Sequence, residues 1–127
     1  MDEHISHGKK GEDIAATYLK KNGSAILFCN LREGSDEIDI VARSRDGTLC
    51  FVEVKTFFIE GIPDVDRLMP EDNFTPSKLS KLKRSAQMFA GKHPDLINDS
   101  RGWRIDGIAV LLFPNGSHDI RFYENIS

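Results

Sequence analysis

The spacing of apolar positions changes several times along the chain, and each change marks an element. From about Ser6 to Asn22, residues Ile14, Ala15, Tyr18 and Leu19 recur at helical spacing. Gly23 then succeeds Lys20, Lys21 and Asn22 as a stop, which predicts a first helix. Ala25 to Asn30 reads as a first strand with no evident chemistry, and Leu31 to Ser35 links it to a second run of alternating residues. Between Asp36 and Thr56 the period falls to two. Glu37 and Asp39 alternate with Ile38 and Ile40, then Glu53 and Lys55 alternate with Val52 and Val54, so each set is expected to share one face. Between these runs, Arg43 to Gly47 ends in Asp-Gly, a hairpin signal. A turn centred near Asp46 sets Asp39 opposite Glu53 and Glu37 opposite Lys55.

A second helix opens at Pro76 and Ser77 and runs to about Ala90, with Leu79, Leu82, Ala86 and Phe89 along one side. Trp103 to Phe113 reads as a strand whose near-continuous apolar end suits burial on both faces, interrupted by Asp106. Pro114-Asn115-Gly116 turns into a last strand, His118 to Tyr123. The order α-β-β-β-α-β-β predicts an α+β fold, an α/β sandwich of one mixed sheet with helices on its faces. At 127 residues and 39% hydrophobic content, a single domain over 1–127 is expected.

Charge changes this picture in one place. The formal net charge of −3 excludes a bulk polycation, so any nucleic-acid binding needs a local basic patch. Lys78, Lys81, Lys83 and Arg84 form one on the second helix with no acid among them, and they read either as phosphate contacts or as a solvated face. Thr56 to Pro76 is the opposite, a long acidic loop with Glu60, Asp64, Asp66, Glu71 and Asp72 against Arg67. Met1-Asp2-Glu3-His4 does not open a secretory signal, and the longest apolar run, Ile108 to Phe113, is far short of the roughly 20 residues a membrane span needs. A cytoplasmic protein without membrane contact is expected. Cys29 and Cys50 read as small buried thiols, and His4, His7, His93 and His118 as scattered surface residues without zinc spacing.

The candidate chemistry lies in the two-residue period. Opposed carboxylates on a sheet cost on the order of 0.2–1 kcal/mol, more where solvent is thin, and something must offset them. Lys55 is one compensating charge and a divalent cation would be another. Oxygen ligands suit magnesium, manganese or calcium rather than zinc. Acids, an acid-x-lysine pair and a hairpin joining them are what metal-dependent phosphodiester cleavage requires. Glu12 lies on or beside the inward stripe with Ala15 and Leu19, either reaching this site or favouring the helix dipole. Glu53-Val54-Lys55 alone also fits a solvated strand face, but the apolar run Leu49 to Val52 before it does not.

Several motifs together resemble the YraN-like family of small bacterial predicted nucleases. They are Gly8-Lys-Lys-Gly11-Glu12, Ala15 to Leu19, Asn30, Glu37-Ile38-Asp39-Ile40, Phe51-Val52-Glu53-Val54-Lys55, Lys78 before a basic helix, and Arg104-Ile105-Asp106. The family has the restriction-endonuclease-like fold and is similar to archaeal Holliday-junction resolvases. The resemblance implies a PD-(D/E)xK-type site with Asp39 and Glu53 as metal ligands, Lys55 as catalytic lysine, Glu12 as an acid from the first helix and Glu37 as an accessory acid. It implies a Mg²⁺-dependent nuclease, with Mn²⁺ as substitute, acting on DNA that is branched or otherwise structured; a homodimer follows by analogy with resolvases. Asp36 and Phe57 depart from the family's usual Gly and Arg. The competing expectation is a catalytically silent module of this fold that binds nucleic acid or a protein partner.

Overall fold

Strand alternation and helical stripes build two apolar layers on one sheet, in a computed structural model that describes residues 3–60 and 69–127. The elements are α1 (Glu3–Lys21), β1 (Ala25–Glu33), β2 (Asp36–Arg43), β3 (Leu49–Phe58), α2 (Pro76–Lys92), β4 (Trp103–Leu112) and β5 (His118–Tyr123). The strands lie in sequence order, antiparallel except for the β3–β4 pair, which α2 connects in parallel. The fold is therefore mixed α+β in the expected order.

Each face of the sheet has its own core. Ala15 and Leu19 of α1 pack on Ile40, Ala42, Cys50, Val52, Val54, Ile108, Val110 and Leu112. Leu82, Ala86 and Phe89 of α2 pack on Ile38, Val41, Leu49, Phe51 and Ile105. Because β3 and β4 are covered on both faces, their apolar runs are continuous, as read from the sequence. Gly11 allows α1 its close approach: a Cβ there would collide with Thr56 Oγ1 of β3. Gly23, at φ +91°, ends α1 in the left-handed region, where glycine carries no steric penalty.

The hairpin between β2 and β3 forms as expected. Ser44 N–H donates to Thr48 O at 2.9 Å, Gly47 takes φ +95°, and Asp46 Oδ1 accepts the Thr48 N–H at 3.0 Å. Other boundaries moved. β1 does not stop at Asn30 but continues to Glu33, because a tight Gly34-Ser35 turn joins it directly to β2, with Glu33 paired to Asp36. The acidic stretch starts later than Thr56, since β3 runs to Phe58; its residues 61–68 lie outside the described residues. Cys29 is exposed rather than buried, as β1 is an edge strand, whereas Cys50 is buried and burial pushes its thiol up to about 12. His118 is exposed, but His93 is half-buried against the Phe89 ring at 4.4 Å; the side chains of His4 and His7 lie outside the described part. Asp106 is fully buried and held by Arg104 Nε at 2.9 Å and the Asn125 N–H at 2.8 Å. Among the described residues no helix is long and apolar enough to cross a membrane.

Candidate active site at the fork between β2 and β3

The β2–β3 ladder pairs Arg43 with Leu49, Ala42 with Cys50, Val41 with Phe51 and Ile40 with Val52, the register set by a turn near Asp46. It ends there. Asp39 and Glu53, next in that register, are not bonded into it, and neither are Glu37 and Lys55. The physical reason is a rotation of β2. Ile40 packs in the α1 core while Ile38, only two residues earlier, packs in the α2 core, so they do not share a face as strict alternation requires. Asp39, between them, turns toward β3, and its Oδ2 accepts the Val54 N–H at 2.8 Å. A side chain thus replaces the ladder bond and the strands fork beyond it.

Four elements converge on this fork. β3 supplies Glu53 and Lys55, whose Oε1 and Nζ lie 3.4 Å apart. α1 supplies Glu12, held close to β3 by Gly11. β2 supplies Asp39 and, beside Arg32 of β1 at 3.9 Å, Glu37. α2 supplies Lys78 and Lys81, which with Asp36, Glu37, Glu53, Lys55 and Phe74 line a cleft of about 220 Å³. Thr75 caps α2 by accepting the Lys78 N–H at 3.3 Å, fixing the first turn that carries Lys78. Lys83 and Arg84 are exposed and outside the cleft lining, so the basic run splits between two surfaces.

Two residues complete the surroundings: Asn30, a motif position to which the sequence assigned no role, and Gly107, which it did not single out. Asn30, on the strand that reads as free of chemistry, places its amide nitrogen 2.9 Å from both Glu37 Oε1 and Glu12 Oε2 in the orientation that satisfies all three groups. Gly107 lies beside Glu53 in the β3–β4 register, and a Cβ there would stand 2.9 Å from Phe74 Cζ, so its bare backbone lets Phe74 close one end of the cleft. Asp36 also has a role in packing: it accepts the Ser85 hydroxyl of α2 at 3.3 Å. A left-handed Asn inside a strand has no periodic signature, and the Phe74–Gly107 contact joins residues far apart in sequence.

The electrostatics reflect crowded carboxylates. Burial and then the Glu53 charge raise Asp39 to about 7, against the Val54 N–H, which favours its ionised form. Burial also raises Glu12, with the Asp39 charge next. Glu53 is raised by burial while Lys55 and Lys78 pull it down. The Lys55 ammonium in turn lowers Lys78. Chemically, the all-oxygen donors Asp39, Glu53, Glu12 and Glu37 suit a hard divalent cation, which would offset the repulsion among them. Among the described residues, no three Asp, Glu, His or Cys side chains already stand in a metal-binding arrangement.

Residues 11–110 match the profile of the family described as Uncharacterised protein family UPF0102, a span that takes in Glu12, the fork and the cleft. A UPF0102 protein of Chloroherpeton thalassium is 35% identical over 132 residues, covering 98% of this chain and 95% of that relative. One of Chlorobium phaeobacteroides is 32% identical over 123 residues, 97% of this chain and 89% of the relative. One of Oleidesulfovibrio alaskensis is 41% identical over 86 residues, 68% of this chain and 40% of the relative.

Proposed function

The chain belongs to the uncharacterised protein family UPF0102, the YraN-like family, and from that premise we propose that it is a metal-dependent nuclease hydrolysing phosphodiester bonds in DNA. The observation that carries this reading is the fork, where Asp39 caps the end of the ladder on Val54 N–H and leaves Glu53 and Lys55 at the head of an open cleft. Asp39 and Glu53 are the residues that would hold Mg²⁺ or Mn²⁺, with Glu12 approaching from α1. Such an ion, when bound, supplies polarisation of a phosphate oxygen and a water of lowered pKa. The protein does the rest by position. Lys55 has an ammonium available to orient water or offset charge developing on phosphate once Glu53 turns to the cation. Lys78 and Lys81 border the cleft from the opposite side, where a backbone phosphate entering it meets positive charge.

A second reading is a binding module of the same fold without turnover. It is favoured by the 3.4 Å Glu53–Lys55 pair, which occupies both groups with each other. Incubation with linear, single-stranded and four-way-junction DNA in Mg²⁺ or Mn²⁺ separates the two. Cleavage of any substrate that Glu53→Gln and Lys55→Ala both abolish supports the nuclease; Mn²⁺-dependent thermal stabilisation without cleavage of any of them selects the binding module.

A further inference from the structure

Asn30 lies inside β1 with φ 53°, a left-handed conformation uncommon for residues with a Cβ and several-fold enriched in Asn. Its neighbours Cys29 and Leu31 pair with Ile40 and Ile38, which puts Asn30 across from Asp39, at the point where β2 rotates. The left-handed residue of β1 thus lies opposite the place where the β2–β3 ladder ends. From this position the carboxamide nitrogen reaches Glu12 Oε2 on α1 and Glu37 Oε1 on β2, each at 2.9 Å. Both N–H donors of one neutral group therefore enter two carboxylates from different elements.

We propose that Asn30 is a positioning residue, whose carboxamide holds Glu12 and Glu37 at a set separation beside Asp39 so that the acidic side of the fork is assembled before a cation or substrate arrives. The choice of side chain follows from the chemistry. Lysine would also satisfy both acids but would cancel the negative charge that attracts a cation, and serine has a single donor. Aspartate is isosteric and would add another negative charge. Glycine tolerates the backbone but brings no donor. The part of the proposal that concerns cations rests on the nuclease reading; the clamp on Glu12 and Glu37 stands on the geometry alone.

The experiment is a set of double-mutant cycles read in thermal unfolding, with chelator, at neutral pH. Asn30→Gly keeps the left-handed backbone and removes the amide, and should lower Tm by about 3–6 °C. Asn30→Asp keeps shape and should lower it further, because it adds repulsion. In a background carrying Glu12→Gln and Glu37→Gln, both drops should fall to less than half, since the amide no longer separates charges. Equal drops in the two backgrounds, for Asn30→Gly or, where that variant does not fold, for Asn30→Asp, would overturn the clamp. A second arm titrates Mn²⁺ into folded protein by calorimetry: Asn30→Gly should weaken binding about tenfold, as loss of groups that orient metal ligands does. Unchanged Mn²⁺ affinity would refute the preassembly. If wild-type protein bound no Mn²⁺, the nuclease reading would fall, and the chelator cycles would still decide the role of Asn30.

Discussion

Asp39 Oδ2 accepts the Val54 backbone N–H at 2.8 Å, so one carboxylate serves both as the last link between β2 and β3 and as a half-buried acid of the fork cluster. The bond favours its ionised form, while burial and Glu53 oppose that form more strongly. In chelator, the folded protein should therefore hold a proton on Asp39 that the unfolded chain has already lost, from about pH 4 to about pH 7. Stability should fall as pH rises through this window, by about 1–3 kcal/mol, and Glu12 and Glu53, raised in the same direction, add to the slope. Asp39→Asn keeps an oxygen for the Val54 N–H and should flatten the profile, becoming more stable than wild type at pH 8. Urea unfolding across pH 4–8 measures both.

Gly11 and Thr56 set the distance between α1 and β3. An Ala at an ordinary mid-helix Gly stabilises by about 1 kcal/mol through propensity, so the sign of Gly11→Ala is diagnostic. Here the new Cβ meets the Thr56 side chain and should destabilise by about 1–3 kcal/mol while shifting Glu12 away from Asp39. Thr56→Ala should recover part of the loss when combined with it. Equilibrium unfolding of the two single variants and the double variant gives the answer.

The split of the basic helix predicts unequal contributions to DNA binding. Lys78 and Lys81 line the cleft and Lys83 and Arg84 do not. Replacing the first pair by Gln should reduce the log-log salt slope of duplex binding by about 1.8, the value for two phosphate contacts. Replacing the second pair should change it by less than about 0.5. Binding isotherms at several salt concentrations distinguish the pairs.

Asp106 is buried under Arg104, which also reaches Glu124 at 3.3 Å. Removing Asp106 leaves Arg104 only the exposed Glu124 and takes away its buried partner, so Asp106→Ala should cost about 3 kcal/mol. The Asn125 N–H also loses its acceptor, which loosens the segment after β5. A drop in Tm, with exchange protection lost first at Asn125, checks this against a purely local effect.

The order of elements was legible in the sequence because it depends on local periodicity. A 3.6-residue stripe through Ala15 and Leu19, alternation around the Asp46-Gly47 turn, and an unbroken apolar run from Ile108 to Leu112 each require one kind of element. The register of the hairpin was also legible, since a turn fixes the pairs on either side of it. The candidate acids and lysine stood out for the same reason: charge at positions where the pattern demands burial needs compensation.

The tertiary structure alone decided how those residues meet. Alternation assumes a straight ladder, but β2 rotates at Asp39, which moves Ile38 to the opposite core from Ile40 and ends the ladder in a fork at the acids. Cys29 reads as buried only if its strand is interior, and strand order is a property of the whole sheet. Asn30 acquires its place because α1 and β2 each bring an acid to within 2.9 Å of one amide. That convergence depends on the packing of helix against sheet, where residues 12, 30 and 37 become neighbours only after the two cores have closed.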